Sequence, residues 1–351
     1  MIGASIAYFL AARGVKATVI ERDGIASGAS GTAAGVLQPP PTGGGPLAEI
    51  RATGRALHHM LSRSLPGESG IAYGYHLLAR VEVPQTDAEE SEMRRRELDG
   101  GRWLAPAELL EMSGWADRPE FGGFLTEEAA QLDPYRFTLA LVVAAERGGA
   151  QFRTGMVEGL VLRDGHVCAA LVNGEEVEAE IVVVAMGPWS MESARWLGLD
   201  VPVEPLKGQI LKVEPRKEFR PFSVWHGRDY AVARDDGQVF LGTTEEHTGF
   251  DRAITQSARD EILLSALRFS SMLEDSRLVE QTACLRPLSS DGLPLIGPVP
   301  GLRGAYLATG HGRQGILQAP PTGRAIADLI VDGKTDLLDL SAFTPARFGR
   351  P

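Results

Sequence analysis

The sequence has 351 residues, 44% of them hydrophobic and 23% charged, with a formal net charge of −11. That length buries a sizeable core and suits two domains, and the composition is that of an ordinary globular protein. The acidic balance argues against nucleic acid or an anionic membrane surface as a main partner, and no apolar run approaches the ~20 residues of a membrane span.

Ile2 to Arg13 reads as a helix, with Ile2, Ile6, Phe9, Leu10 and Arg13 recurring at three- and four-residue steps. Gly14 stops it, and Ala17 to Ile20 is a short β-prone run ended by Glu21. This is the second half of a dinucleotide-binding βαβ unit. Gly3 fits the last glycine of the fingerprint, and Glu21, about 20 residues on, fits the acidic residue that accepts hydrogen bonds from a ribose. The first strand and the first two glycines belong ahead of Ile2, so a native start upstream of Met1 is expected. The apolar N-terminus lacks a basic flank and reads as a fold element, not a signal peptide.

Gly24 to Gly35 is a small-residue loop, suited either to close backbone approach by a ligand or to a flexible linker. The breaker run Pro39 to Gly45 follows, then a helix over Glu49 to Leu65 whose His58 and His59 read as a solvated face. Tyr75 to Val83 reads as a strand, and Thr86 to Leu98 and Pro106 to Met112 as surface helices. Leu125 to Leu132 leads into an apolar helix over Phe137 to Arg147. Gln151 to Leu162 and His166 to Val172 read as strands, and the apolar run Glu180 to Ala185 as a buried parallel strand. Val201 to Val213, Tyr230 to Ala233 and Val239 to Thr243 read as a second, antiparallel sheet. A helix over Ser257 to Met272, a buried strand over Ala305 to Ala308 and a closing helix over Pro321 to Val331 complete the chain. Cys168 and Cys284 make neither a disulfide framework nor a metal cluster, so no metal is expected and a reducing compartment, the cytoplasm, is.

Several segments together resemble the D-amino-acid oxidase superfamily of FAD enzymes, and within it the glycine oxidases. They are the small-residue stretch Ser27 to Leu37, Gly187-Pro188-Trp189-Ser190, Lys207-Gly208-Gln209, Leu285 to Gly297, and Gly310 to Leu317 with Ala319-Pro320 and Thr322-Gly323. The resemblance implies an α/β fold: a Rossmann-like, glutathione-reductase-type FAD-binding domain with a second domain on a mixed or antiparallel sheet. It implies FAD-binding parts over 1–70, 131–200 and 285–351, and substrate-domain parts over 71–130 and 201–284. FAD contacts carried over are Gly3, Glu21, Arg22, Ser30, Ala34, Gly35, Val157, Gly187, Trp189, Gly312, Arg313, Gln314, Gly315 and Ile316.

The implied reaction is oxidative deamination of glycine, sarcosine or small D-amino acids, feeding thiazole synthesis for thiamine. A hydride passes from the neutral amine to flavin and oxygen re-oxidises it, giving peroxide, a 2-oxo acid and ammonia. A D-amino-acid dehydrogenase that uses a quinone, and a remnant unable to hold FAD, are the alternatives. The family also implies a homo-oligomer. Arg286 matches the carboxylate-binding arginine, suited to a bidentate pair, or is a structural ion pair. Tyr230 matches a tyrosine that helps hold the same carboxylate. Arg313 matches an arginine beside flavin and entrance, or orders its own loop. His311 reads as structural. Glu245 stands where the family has an apolar residue, either drawing an amine or basic side chain or facing solvent. Cys284 stands where related sarcosine oxidases attach flavin covalently.

Overall fold

The computed structural model describes residues 1–39, 43–95 and 102–349. The chain opens with α1 (Ile2–Ala12), β1 (Thr18–Glu21), α2 (Ala29–Thr32), β2 (Val36–Leu37), α3 (Pro46–Ser69) and β3 (His76–Glu82). It continues through α4 (Asp87–Arg95), β4 (Arg102–Leu104), α5 (Pro106–Ser113), β5 (Gly123–Gln131) and α6 (Pro134–Arg147). Next are β6 (Gln151–Thr154), β7 (Val157–Arg163), β8 (His166–Val172), β9 (Glu175–Glu178), β10 (Val182–Val184) and α7 (Ala194–Leu197). The last third holds β11 (Val203–Glu214), β12 (Phe222–His226), β13 (Asp229–Ala233), β14 (Val239–Gly242) and α8 (Gln256–Ala266). It ends with β15 (Arg277–Ser289), β16 (Leu295–Pro298), β17 (Ala305–Thr309) and α9 (Gly315–Asp332).

Short apolar strands make two parallel pairs, β1 with β6 and β10 with β17, and β16 extends the second pair in antiparallel register. Helix α1 spans both pieces: a Cβ on Gly3 would lie 3.9 Å from Ala185 and 4.0 Å from Val19. Its other face buries Ile6, Phe9 and Leu10 among Phe137 and Leu141 of α6 and Ile326 of α9. Burying such side chains stabilises the fold by about 1.5–3 kcal/mol each.

Helix α9 runs through Pro320 and Pro321 instead of starting at Pro321 as expected. Each proline removes an N–H, which frees the carbonyls of Ile316 and Leu317 four residues back. Helix α3 receives both. His58 Nε2 lies 2.9 Å from the Ile316 oxygen, and a Cβ on Gly54 would lie 2.3 Å from the Leu317 oxygen. The expected solvated face at His58 is therefore corrected: the ring is fully buried. Burial pulls its pKa down to about 4 against the opposing carbonyl bond, so the ring is a neutral donor.

The large sheet has the order β15-β11-β14-β13-β12-β3-β5-β2, with β4 also on β5. It is antiparallel except where β12 runs parallel to β3, which makes it the mixed sheet that the resemblance allows for; β11, β13 and β14 pair antiparallel as expected. Side chains alternate across it. Leu211, Val224, Ala231 and Leu241 face a core built with Trp115, Ile262 and Phe269. Their neighbours Ile210, Trp225, Tyr230 and Phe240 form the opposite face.

Other expectations shift for local reasons. The single strand over 151–162 is two strands: β6 joins β1 and ends at Thr154, and after residues 155–156 β7 starts an antiparallel sheet with β8 and β9. The helix over 257–272 ends at Ala266, and a short 3-10 turn, Ser271–Leu273, follows. Strands β12 and β15 were not expected. β15 is the sheet's edge, where an internal Pro287 and mixed polarity are tolerated. The expected helix over Thr86 to Leu98 is described to Arg95; its end, and residues 40–42 of the breaker run, lie outside the described residues.

Candidate active site

A cavity of about 940 Å³ lies between the parallel strands and the inner face of the large sheet. Its lining brings together Gly3, Glu21, Arg22, Ser30, Ala34, Gly35, Val157, Gly187, Trp189 and the loop Gly312, Arg313, Gln314, Gly315 and Ile316. Tyr230, Glu245 and Arg286 line the same space from the sheet side.

The first wall is mostly backbone and small side chains. The first N–H groups of α1 have no acceptor within the helix, which makes its N-terminus a favourable place for phosphate. Glu21 ends β1, and its carboxylate accepts the Asp23 N–H at 3.1 Å. Arg22 pairs with Asp23 at 3.0 Å and stacks over the Trp189 ring at 4.3 Å. Gly35, at φ +77°, is required: a Cβ there would lie 2.0 Å from the Leu132 oxygen. A Cβ on Gly187, at φ +58°, would meet nothing within 4 Å and would stand in the open cavity. His311 is buried, its Nε2 lies 3.0 Å from the Thr322 hydroxyl, and burial pulls its pKa down to about 3.

The sheet wall is built from side chains on adjacent strands. Leu206 of β11 stands opposite Arg286 of β15, so Gly208 lies diagonally beside the arginine. A Cβ on Gly208 would come within 2.2–2.4 Å of the guanidinium; its absence makes room for that group. Gly242 stands opposite Tyr230, and a Cβ there would lie 2.5 Å from the tyrosine oxygen. Two missing side chains thus form shelves for an arginine and a tyrosine. Arg286 Nη2 donates to Thr243 Oγ1 at 2.8 Å and Nη1 donates to the Thr244 carbonyl at 3.3 Å. The Thr243 hydroxyl itself donates to the Gln209 carbonyl at 2.9 Å, which leaves its lone pairs turned to Arg286.

Glu245 follows directly, and only 19% of its side chain is exposed. It pairs with Arg313 and stands 4.0 Å from Arg286 on the cavity lining, so of its two readings the solvent-facing strand end does not hold. The Lys207-Gly208-Gln209 motif holds this segment from behind. Lys207 is buried on the opposite face and pairs with Asp251 at 3.1 Å and Glu246 at 3.4 Å. Gln209 Nε2 donates to Glu246 at 2.9 Å. Burial pushes the Tyr230 hydroxyl far up, with the Arg286 charge opposing, so it stays a protonated donor. Cys284 is a free thiol on the cavity lining.

Sequence reasoning missed two residues of this wall. Arg80 of β3 stands opposite Ser223, and its guanidinium lies 4.9 Å from the Trp225 ring. Trp225 in turn packs 4.6 Å from the Tyr230 ring, and both new residues line the cavity. An arginine at an inward position of an apolar strand was the available signal for Arg80; Trp225 sits on a strand that was not read.

The family model for FAD dependent oxidoreductase matches residues 1–329. The chain belongs to that family of FAD enzymes. It is 39% identical over 186 residues to a glycine oxidase of Pseudomonas aeruginosa, covering 53% of this chain and 51% of the relative. It is 33% identical to the bifunctional protein ThiO/ThiG of Trichormus variabilis, covering 99% of this chain and 54% of the relative. The chain thus spans about half the length of these curated relatives. A crystal structure of glycine oxidase from Geobacillus kaustophilus superposes with a TM-score of 0.89 at 28% identity, covering 99% of this chain and 96% of that one. The cavity fits FAD: a side-chain-free wall at Gly187, a carboxylate at Glu21 and a helix N-terminus are the features a dinucleotide needs. No described helix is long and apolar enough to cross a membrane, and no described cluster of His, Cys, Asp and Glu could hold a metal ion.

Proposed function

We propose that this chain oxidises small amino acids at the α-carbon: glycine, sarcosine or small D-amino acids. The carrying observation is the pair Arg286 and Tyr230, seated on Gly208 and Gly242 at one cavity wall. Arg286 binds the substrate carboxylate through N–H groups not committed to Thr243 and Thr244. Tyr230 adds a neutral hydroxyl donor. Together they fix the substrate so that its α-carbon faces the opposite wall. Bound FAD supplies the hydride acceptor.

The amine reacts neutral, so no side-chain base is required. His311 is held neutral by burial and occupied by Thr322, in keeping with a structural role. In the loop Gly312 to Gly315 the Gln314 N–H donates to the His311 oxygen at 3.0 Å, and the other N–H groups would be the donors available to negative charge on a bound cofactor. Glu21 would hold the ribose, and the start of α1 the phosphates. Hydrolysis of the imine gives a 2-oxo acid and ammonia, or methylamine when the substrate is sarcosine, with oxygen as the final acceptor and peroxide as its product. The likeness to the ThiO/ThiG protein supports placing this oxidation in thiazole supply for thiamine.

The test is turnover of FAD-loaded protein with glycine, sarcosine and D-alanine, read as oxygen uptake and as dye reduction without oxygen. Oxygen uptake is expected. Dye-only turnover would make the chain a dehydrogenase, and no turnover by either route would remove the proposal.

A further inference from the structure

The sheet wall carries more positive charge than one carboxylate requires. Arg80 approaches the cavity from the far side of Trp225, with only 12% of its side chain exposed. Among the described residues its ionic partner is Glu82, at 3.6 Å and two residues along the same strand. That contact exceeds the length of a good charge-assisted hydrogen bond. The Arg80 Nε and the Trp225 Nε1 are both buried without a hydrogen-bond partner among the described residues. Buried donors of this kind are costly to leave unpaired, and a guanidinium is the costlier.

The two arginines stand at opposite ends of one row. Arg80 contacts Trp225, Trp225 contacts Tyr230, and Tyr230 lies over Gly242, beside the Thr243 that holds Arg286. Each arginine thus reaches the row from its own edge, and the aromatic rings between them give an apolar floor. This arrangement suits an extended ligand with an anionic group at each end and a short carbon chain between. The Glu245 carboxylate does not fill that role for Arg80, because it is engaged with Arg313 and stands beside Arg286.

We propose that Arg80 and Trp225 form a second anion subsite, so that the preferred substrates are amino acids carrying a second carboxylate. The proposal rests on the reading of Arg286 as the anchor of the first. An acidic side chain, or an acidic substituent on the amine, then reaches Arg80 while the α-carboxylate stays on Arg286. Glu82 yields to the incoming carboxylate, which pairs with Arg80 bidentately, while the Trp225 ring holds the guanidinium in place.

The test uses the FAD-loaded protein and two unreactive five-carbon probes, glutarate with two carboxylates and pentanoate with one. Binding is read from perturbation of the flavin absorption spectrum and from tryptophan fluorescence. Glutarate is expected to bind at least ~10-fold tighter than pentanoate, the value of one charge-assisted pair. Arg80→Gln should erase that gap and leave pentanoate unchanged, and Arg80→Lys should restore part of it. D-glutamate and D-norvaline should show the same gap in kcat/KM. Equal binding of both probes by the unmodified protein overturns the proposal without any variant. So does an Arg80→Gln change that weakens both probes alike. Arg286→Gln separates this proposal from the anchor reading. If it weakens neither probe, Arg286 is not the anchor; if it weakens both while Arg80→Gln does nothing, only the second subsite fails.

Discussion

The two walls of the cavity are made differently. The wall around Gly3, Gly35, Gly187 and Gly312 to Ile316 works through backbone groups and absent side chains. The wall around Arg80, Trp225, Tyr230, Glu245 and Arg286 works through charged and aromatic groups on strands far apart in sequence. The first needs loops and helix ends of fixed shape, so its residues cluster in short motifs. The second needs a sheet register, so its residues gain meaning only when β3, β12, β13, β14, β11 and β15 are aligned. A wall of backbone suits a large constant ligand, and a wall of side chains suits a small variable one.

Substitutions should separate the two walls. Arg286→Ala removes the proposed carboxylate anchor and should raise KM for amino acids about 100-fold or more, with FAD content unchanged. Steady-state kinetics beside flavin content checks this; an unchanged KM removes Arg286 from its role. His58→Leu acts on the other wall. It strands the Ile316 carbonyl behind the loop and should cost about 1–3 kcal/mol of stability and weaken FAD retention, while KM for amino acids stays near its original value. Denaturant melts and flavin release measure both effects.

Acid should act through the same histidine. Its folded pKa of about 4 lies below the ordinary histidine value of about 6.5, so the unfolded chain takes up a proton first as pH falls. Stability should therefore decline between about pH 6.5 and 4, by roughly 3 kcal/mol from this group. His58→Gln keeps a donor and should flatten part of that decline; an identical pH profile would contradict the burial argument.

Gly208→Ala should mimic loss of Arg286 without deleting a charge. The added methyl collides with the end of a flexible side chain, so the protein should fold normally while kcat/KM falls about 10-fold or more. A matched melting curve with lowered kcat/KM is the expected pair of results. The smallest effect belongs to Glu245→Val. It frees Arg313 and should shift preference among amine substrates a few-fold; an unaltered substrate profile would leave Glu245 with Arg313 alone.

Much of the backbone wall was legible in the sequence. Gly14 does end α1, β1 does end in Glu21, and the glycine motifs do meet at one cavity. The burial of His58 was not legible, because it depends on carbonyls freed by Pro320 and Pro321 in a helix far along the chain. Arg80 and Trp225 were missed because β12 and β3 become neighbours only through a parallel pairing across 143 residues of sequence, Ser223 opposite Arg80. The pairing of Glu245 with Arg313 likewise joins a strand end to a distant loop. Local motifs report ligands held by local backbone; side-chain chemistry assembled across a sheet has no local signature.

The most direct test of the whole account is an anaerobic titration of the FAD-loaded chain with glycine, read as bleaching of the flavin absorption. Saturable bleaching, displaced about 100-fold to higher glycine by Arg286→Ala at equal flavin content, is the predicted result. No bleaching by glycine, sarcosine or small D-amino acids, or the same titration curve in both proteins, would contradict it.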